Sequence, residues 1–298
     1  MVSTEYLNAM KSQKFGVEIE FSFITKDTAR SALRQLFGNK SMLDAKGRKW
    51  KIVSNSEIRA KVRLPDGDIV PADAGYEVEL NTPVLEYEDL DLLSGVLHSL
   101  RNAGAEVSDV CGLHVHVGEE GHTARSLRNL LNLFVQKEKV MQEVFQIDAY
   151  RLNRYCRTVS EELIPIMNCK KCSTLEGLQE QWELYANDRY RMLNLDSFFD
   201  HKGIEFRLFN ATLDPDIVKA YVIFCLAVSQ KAKTMQRAVP IKSNMENNRY
   251  EWRNFLNRLG LAGDEFKGVR RQLMRYVSGD SSFHDPESHG RRRLVRGF

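Results

Sequence analysis

The sequence predicts an α+β protein, on two kinds of pattern. Four stretches alternate apolar and polar side chains with a period of two, the mark of a strand buried on one face. Between them lie longer stretches whose apolar residues recur at helical spacing. The clearest strand begins at Phe15. Phe15, Val17, Ile19, Phe21 and Phe23 share one face, and Glu18, Glu20 and Ser22 share the other. Carboxylates two residues apart on one strand face lie about 7 Å from each other, close enough to repel or to share a cation.

The remaining elements follow in order. Asp27 or Thr28 can cap a short helix carrying Ala32, Leu33, Leu36 and Phe37, which Gly38-Asn39 ends. Residues 50–58 and 69–70 read as extended, separated by the turn Pro65-Asp66-Gly67-Asp68. A second alternating strand puts Tyr76, Val78, Leu80 and Thr82 on one face and Glu77, Glu79 and Asn81 on the other, and Pro83 stops it. Leu90, Leu93, Val96, Leu97 and Leu100 then predict a helix with Gly104 as its C-terminal cap. In the third strand His114 and His116 face away from Leu113, Val115 and Val117. Its flanking glycines, Gly112 and Gly118, leave room for a ligand or a neighbouring backbone. Thr123 caps a long helix to about residue 146. Residues 150–200 are rich in Arg, Tyr and Asn and read as a helical excursion or lid. The fourth strand carries Glu205 and Arg207 on one face, and Asp214-Pro215 opens an apolar helix. Two further helices, near 246–259 and 265–277, complete the reading. Strand spacing allows parallel or antiparallel pairing.

Composition limits the function. The chain has 298 residues, 43% of them hydrophobic and 28% charged, and a formal net charge of +3, too small to argue for nucleic-acid binding. The tail Arg291-Arg292-Arg293-Leu294-Val295-Arg296 reads as a solvated terminus. No apolar run is long enough for a membrane span, and no signal peptide is visible, so a cytoplasmic protein is expected. Five cysteines without regular spacing fit reduced thiols. Cys169-Lys170-Lys171-Cys172 is half of a zinc pattern, which Cys156 or His201 would have to complete. Cys111 reads as a packing residue. His122, His201, His284 and His289 read as surface or loop residues, and Trp182, Tyr185 and Tyr190 as core or as stacking partners for a base.

A wet sheet face usually mixes Thr, Ser, Lys and Gln. These four strands instead display Glu/Glu, Glu/Glu, His/His and Glu/Arg, a ligand set suited to a divalent cation such as Mg²⁺ or Mn²⁺. Neither a Walker-type loop nor a Gly-x-Gly-x-x-Gly fingerprint occurs, so a nucleotide would be held through metal and through arginines such as Arg189, Arg191 and Arg207.

Gly16-Val17-Glu18-Ile19-Glu20, Gly75-Tyr76-Glu77-Val78-Glu79-Leu80-Asn81-Thr82-Pro83, Cys111-Gly112-Leu113-His114-Val115-His116-Val117-Gly118, Arg189-Tyr190-Arg191-Met192-Leu193-Asn194-Leu195 and Gly203-Ile204-Glu205-Phe206-Arg207 occur in that order. Together they resemble the amidoligase family, a branch of the carboxylate–amine ligase superfamily that includes glutamine synthetase and glutamate–cysteine ligase. The resemblance spans about residues 15–240 and leaves 241–298 as a helical extension with a basic tail. It implies a glutamine-synthetase-like domain: a curved, mainly antiparallel sheet with a concave face for ATP and Mg²⁺ or Mn²⁺, and helices over the apolar face. It also implies Glu18, Glu20, Glu79, His114 and Glu205 as metal ligands, with Glu77 sharing their face. Arg207 and one of Arg189 and Arg191 would serve the transferred phosphate, and Glu18, Glu79, His116, Asn194 and Arg207 would contact the nucleotide. Where relatives carry Asp-x-Ser after a Trp-containing strand, this chain has Asn55 and Glu57.

The expected reaction is ATP-dependent ligation of a carboxylate to an amine through an acyl phosphate, the substrates being peptides, amino acids or other small molecules and the protein a homo-oligomer. The alternatives are a metal-dependent hydrolase and a catalytically silent nucleotide-binding scaffold.

Overall fold

The computed structural model describes residues 2–159, 162–186, 188–240 and 247–279. The arginine-rich tail, His284 and His289 lie outside them. The strands are β1 (Phe15–Phe21), β2 (Lys51–Ser54), β3 (Lys61–Arg63), β4 (Ile69–Pro71), β5 (Val78–Asn81), β6 (Gly112–Val117), β7 (Leu193–Asn194) and β8 (Ile204–Asn210). The helices are α1 (Thr4–Lys11), α2 (Lys26–Phe37), α3 (Leu90–Asn102), α4 (Ala124–Val144), α5 (Ala149–Arg154), α6 (Leu163–Met167), α7 (Leu175–Tyr185), α8 (Asp196–Phe199), α9 (Pro215–Thr234), α10 (Asn248–Arg258) and α11 (Lys267–Leu273).

Six strands form one antiparallel sheet in the order β2-β5-β1-β6-β8-β7. The fold is thus α+β on an antiparallel sheet, and the open choice of strand direction is settled. Of the segment expected to be extended over 50–58, only Lys51–Ser54 joins the sheet edge; beyond it, Lys61–Arg63 pairs with Ile69–Pro71 in a separate hairpin around Gly67. β1 stops two residues early, because Phe23 takes a positive φ of 68° and leaves the ladder. Gly203 (φ 83°) turns the chain into β8 so close to the Val117 carbonyl that a Cβ there would collide with it.

One face of the sheet is wholly apolar: Phe15, Val17, Ile19, Phe21, Val78, Leu80, Leu113, Val115, Val117, Ile204 and Phe206 are all buried. α9 is central to the layer that covers this face. Asp214 accepts hydrogen bonds from the amides of Asp216 and Ile217, Pro215 occupies the first turn, and the helix body is buried almost all round. It packs against β6 and against α1, α3, α4 and α11. Trp252 of α10 reaches the same core, with its ring 5.6 Å from Phe224. α2 is capped by Thr25 rather than by Asp27 or Thr28, and Gly38 ends it in the left-handed conformation. His122, expected at the surface, is buried. Its ring nitrogens meet Ser126 Oγ at 3.0 Å and Ser229 Oγ at 2.9 Å, and burial lowers its pKa to about 3, leaving it neutral.

Candidate active site

The opposite face of the sheet collects the polar residues of every long strand. Antiparallel register sets Glu20 beside Glu79, Glu18 beside His114 and Asn81, and His116 beside Glu205. Between Leu113/Phe209 and Val115/Phe206 the β6–β8 register slips by one residue, so β8 carries a bulge at Arg207 and Leu208. Arg207 thereby stays beside the carboxylates while Phe209 returns to the apolar side next to Leu113.

His114 stands at the centre. Its Nδ1 lies 3.3 Å from Glu18 Oε2 and 3.4 Å from Glu205 Oε1, and one ligand atom from each of these three residues falls within 4.8 Å of the others. His116 Nε2 is 3.4 Å from Glu18 Oε1 without hydrogen-bonding geometry, and it is a buried nitrogen without a partner. Asn81 Oδ1, on the other side of Glu18, is likewise buried and unpartnered. Arg207 Nη1 donates to Glu205 Oε1 at 2.5 Å and Asn194 Nδ2 donates to Glu205 Oε2 at 2.7 Å. Asn55 links the remaining carboxylates: its Nδ2 donates to Glu20 Oε1 at 3.0 Å and to Glu79 Oε2 at 2.7 Å. The Gly112 amide donates to Glu20 Oε2 at 2.6 Å.

Four carboxylates therefore face one arginine and two imidazoles. Burial pushes Glu18 and Glu205 up, but the His114 hydrogen bond and the charges of both imidazoles for Glu18, and the charges of His114, Arg207 and His116 with the Asn194 hydrogen bond for Glu205, outweigh it and hold both below the usual range. Glu79 has no such partner. Burial and the charges of Glu18 and Glu20 raise it to about 7, against the stabilising hydrogen bond from Asn55. Such crowding, with two orphaned buried ligand atoms beside it, fits a divalent cation; a carboxylate-rich set favours Mg²⁺ or Mn²⁺.

A pH effect follows for the metal-free protein. Between the ordinary carboxylate value of 4.5 and about 7, the folded chain keeps the Glu79 proton that the unfolded chain has lost. The Glu79 contribution to stability should fall as pH rises through that window, by at most roughly 3 kcal/mol. Thermal unfolding at pH 5 and pH 8, with and without Mn²⁺, checks this. Mn²⁺ should raise Tm more at pH 8, and in the metal-free protein Glu79→Gln should remove the Glu79 share of the difference, leaving the opposing rise that buried, neutral His122 gives as pH climbs towards the ordinary histidine value of 6.5.

The other predicted residues divide. Glu77 precedes β5 and makes no side-chain hydrogen bond or ion pair among the described residues. Of the two arginines, Arg189 faces the site, 3.5 Å from Glu57 and stacked on Tyr190. Arg191 instead turns to the carbonyls of Thr158 and Ala186; as a participant at the cluster it is corrected to a packing residue of the excursion. Trp182 is core, bonded to Asp196 at 2.7 Å. Gly112 also differs from expectation, since the space its missing side chain leaves is filled by the Arg151 guanidinium.

The sequence does not single out Arg151 or Tyr155, and it marks Asn55 and Glu57 only as a departure from the relatives' Asp-x-Ser. Asp148 caps α5 and accepts from the Arg151 amide, which aims the side chain under the sheet. There Arg151 donates to the carbonyls of Val110, Arg207 and Phe209 at 3.1–3.2 Å, and its buried Nε has no partner. With Glu20, Glu57, His114, Tyr155 and Arg207 it lines a narrow pocket at one end of the cluster. At the other end opens a cleft of about 380 Å³ whose lining includes Lys14, Gly16, Glu18, Thr82, His116 and Lys202.

A family model described as "Putative amidoligase enzyme" matches residues 11–229. A bifunctional glutathione synthetase from Pasteurella multocida is similar in structure over 98% of this chain and 50% of its own length, at 13% identity and a TM-score of 0.40. This chain thus spans half of that protein, and no residue is equated between the two. None of the curated proteins matches the chain. No helix among the described residues is long and apolar enough to cross a membrane.

Proposed function

Because the chain belongs to the amidoligase enzymes, we propose that it joins a carboxylate to an amine at the expense of ATP, through an acyl phosphate. The observation that carries this is the cluster itself: Glu18, His114 and Glu205 with ligand atoms within 4.8 Å, and Arg207 bonded to Glu205 at its border.

Glu18, His114 and Glu205 would hold Mg²⁺ or Mn²⁺, and Glu20 and Glu79, joined through the Asn55 amide, offer carboxylates for a second cation. The cation supplies charge neutralisation for the phosphate oxygens. The chain's own residues do the rest. Arg207, fixed by Glu205 and by the Tyr155 carbonyl at 3.4 Å, meets the charge that develops on the transferred phosphoryl group. Asn194 keeps Glu205 in place from the second oxygen.

The two ends of the cluster suit different occupants. Pro83 and Val84 give the open cleft an apolar wall for a base, and Lys14 and Lys202 give it cations for phosphate. At the narrow end Tyr150, Tyr155 and Tyr190 neighbour one another, with Arg59 over Tyr150, Arg154 near Tyr150 and Tyr155, and Arg189 and Arg207 over Tyr190. That wall suits the anionic carboxylate substrate. A substrate carboxylate oxygen there attacks the γ-phosphorus, ADP leaves, and the amine displaces phosphate from the acyl carbon. The segment 149–190, which supplies Arg151, Tyr155, Arg189 and Tyr190, would shield the acyl phosphate from water.

Titration calorimetry with ATP tests the reading. Binding should require Mg²⁺ or Mn²⁺ and should be lost in both Glu18→Ala and Glu205→Ala, with circular dichroism unchanged. A folded wild type that binds no ATP with either metal would overturn it. Metal-dependent hydrolysis without ATP would favour the hydrolase.

A further inference from the structure

The ligase reading leaves the Cys169-Lys170-Lys171-Cys172 motif unused. Cys169 caps, and Cys172 lies within, a single 3₁₀ turn, Lys170–Ser173, that connects α6 to α7. Their sulfur atoms are 3.8 Å apart and in contact, about 2 Å short of a disulfide bond. The turn itself is held firmly. Asn168, just before it, exchanges two amide hydrogen bonds with Asn132 of α4 at 2.8 and 2.9 Å, and Gly177 packs directly on the Lys171 carbonyl.

The two cysteines are unequal. Cys169 is half-buried, between half-buried Asn168 and exposed Lys170, whereas Cys172 is fully buried with its thiol directed at the Ile166 carbonyl, 3.3 Å away. The backbone N–H of Cys172, then the Cys172 side chain and Lys171, hold the Cys169 thiol below its usual range, while burial pushes Cys172 up to about 12. A half-buried thiol that gives up its proton more readily than usual, 3.8 Å from a buried one that holds its proton, has the asymmetry of an attacking and a resolving thiol. Zinc would need further ligands. Among the described residues no group of three or more His, Cys, Asp or Glu includes these cysteines, and Cys156 sits instead in the core near Arg151 and Arg207.

We propose that Cys169 and Cys172 form a redox-active dithiol that exchanges with small disulfides such as oxidised glutathione. The Cys169 thiolate attacks one sulfur of the disulfide, forming a mixed disulfide and expelling one thiolate. Cys172 then passes its proton to the thiolate already expelled and attacks Cys169 Sγ, closing the intramolecular bond, breaking the mixed disulfide and expelling the second thiolate. Two protein thiols are oxidised and one disulfide is reduced to two thiols, with no other reactant. The closed ring joins residues three apart, too short a loop to staple the fold, so the pair serves exchange rather than stability. This is independent of the ligase reading.

The full chain is equilibrated in buffers of varied reduced-to-oxidised glutathione ratio, quenched in acid, alkylated and digested with trypsin. Trypsin cuts after Lys170 and Lys171, so the two cysteines part unless a disulfide joins them. Oxidising buffers should give the joined peptide pair, and dithiothreitol should release it. Cys172→Ala should instead retain glutathione on Cys169, and Cys169→Ser should carry no adduct at Cys172. In the native chain iodoacetamide should modify Cys169 at least tenfold faster than Cys111, Cys156 or Cys225. Separately alkylated cysteines across the whole range, or glutathione left unresolved on wild-type Cys169, would overturn the proposal.

Discussion

Arg207→Ala is expected to lower turnover, measured as ADP release, by about 10³-fold or more, with nucleotide affinity changed only a few-fold. The side chain is 6% exposed, and three contacts place it before any substrate arrives: Glu205 Oε1, the Tyr155 carbonyl and the Tyr190 ring. A cation fixed in advance costs no reorganisation when charge develops, so its worth is greatest in the transition state. Arg207→Lys should recover little, because a lysine cannot span Glu205, the carbonyl and a phosphate oxygen together. Calorimetry beside steady-state kinetics separates the outcomes. Equal losses in affinity and rate would make Arg207 a ground-state binding group. An unchanged rate would remove it from the phosphoryl-transfer step.

How far the sequence reveals this site depends on the range of each interaction. Alternation marks Glu18, Glu20, Glu79, His114, His116, Glu205 and Arg207 as polar-face residues, because side-chain direction in a strand is a local property. Shared faces become one surface only through pairing, and here the antiparallel register delivers Glu18 to His114 and His116 to Glu205. The bulge at Arg207 and Leu208 is invisible in Ile204–Leu208, which alternates without a break. Asn55 and Arg151 stay hidden for a different reason. Each acts across a long sequence separation, Asn55 on Glu20 and Glu79, and Arg151 on the ends of β6 and β8. Neither lies in a periodic stretch. Gly112 shows the same limit: the missing side chain is legible, but its occupant is not. His122 misleads because a histidine outside any strand reads as exposed, whereas Ser126 and Ser229 satisfy both its nitrogens inside the core.

Arg151 carries the largest expected effect on stability. Its guanidinium is 1% exposed and serves the carbonyls of Val110, Arg207 and Phe209, which lie where β6 begins and β8 bulges. Arg151→Ala leaves these acceptors without that donor and opens a void over Gly112, a combined loss of about 3–5 kcal/mol in urea unfolding. The partner substitution isolates the cause. Gly112→Ala alone drives a methyl group into the guanidinium and should destabilise by itself. In the Arg151→Ala background the same methyl enters the void, so the double variant should be more stable than the two losses added, by about 1–3 kcal/mol. Additive losses would mean that Arg151 and Gly112 do not share that space. The Arg151 carbonyl contacts also fix the backbone of Arg207, so an Arg151→Ala chain that still folds should lose turnover along with stability. Retained turnover would show that Arg207 keeps its place without Arg151 beneath it.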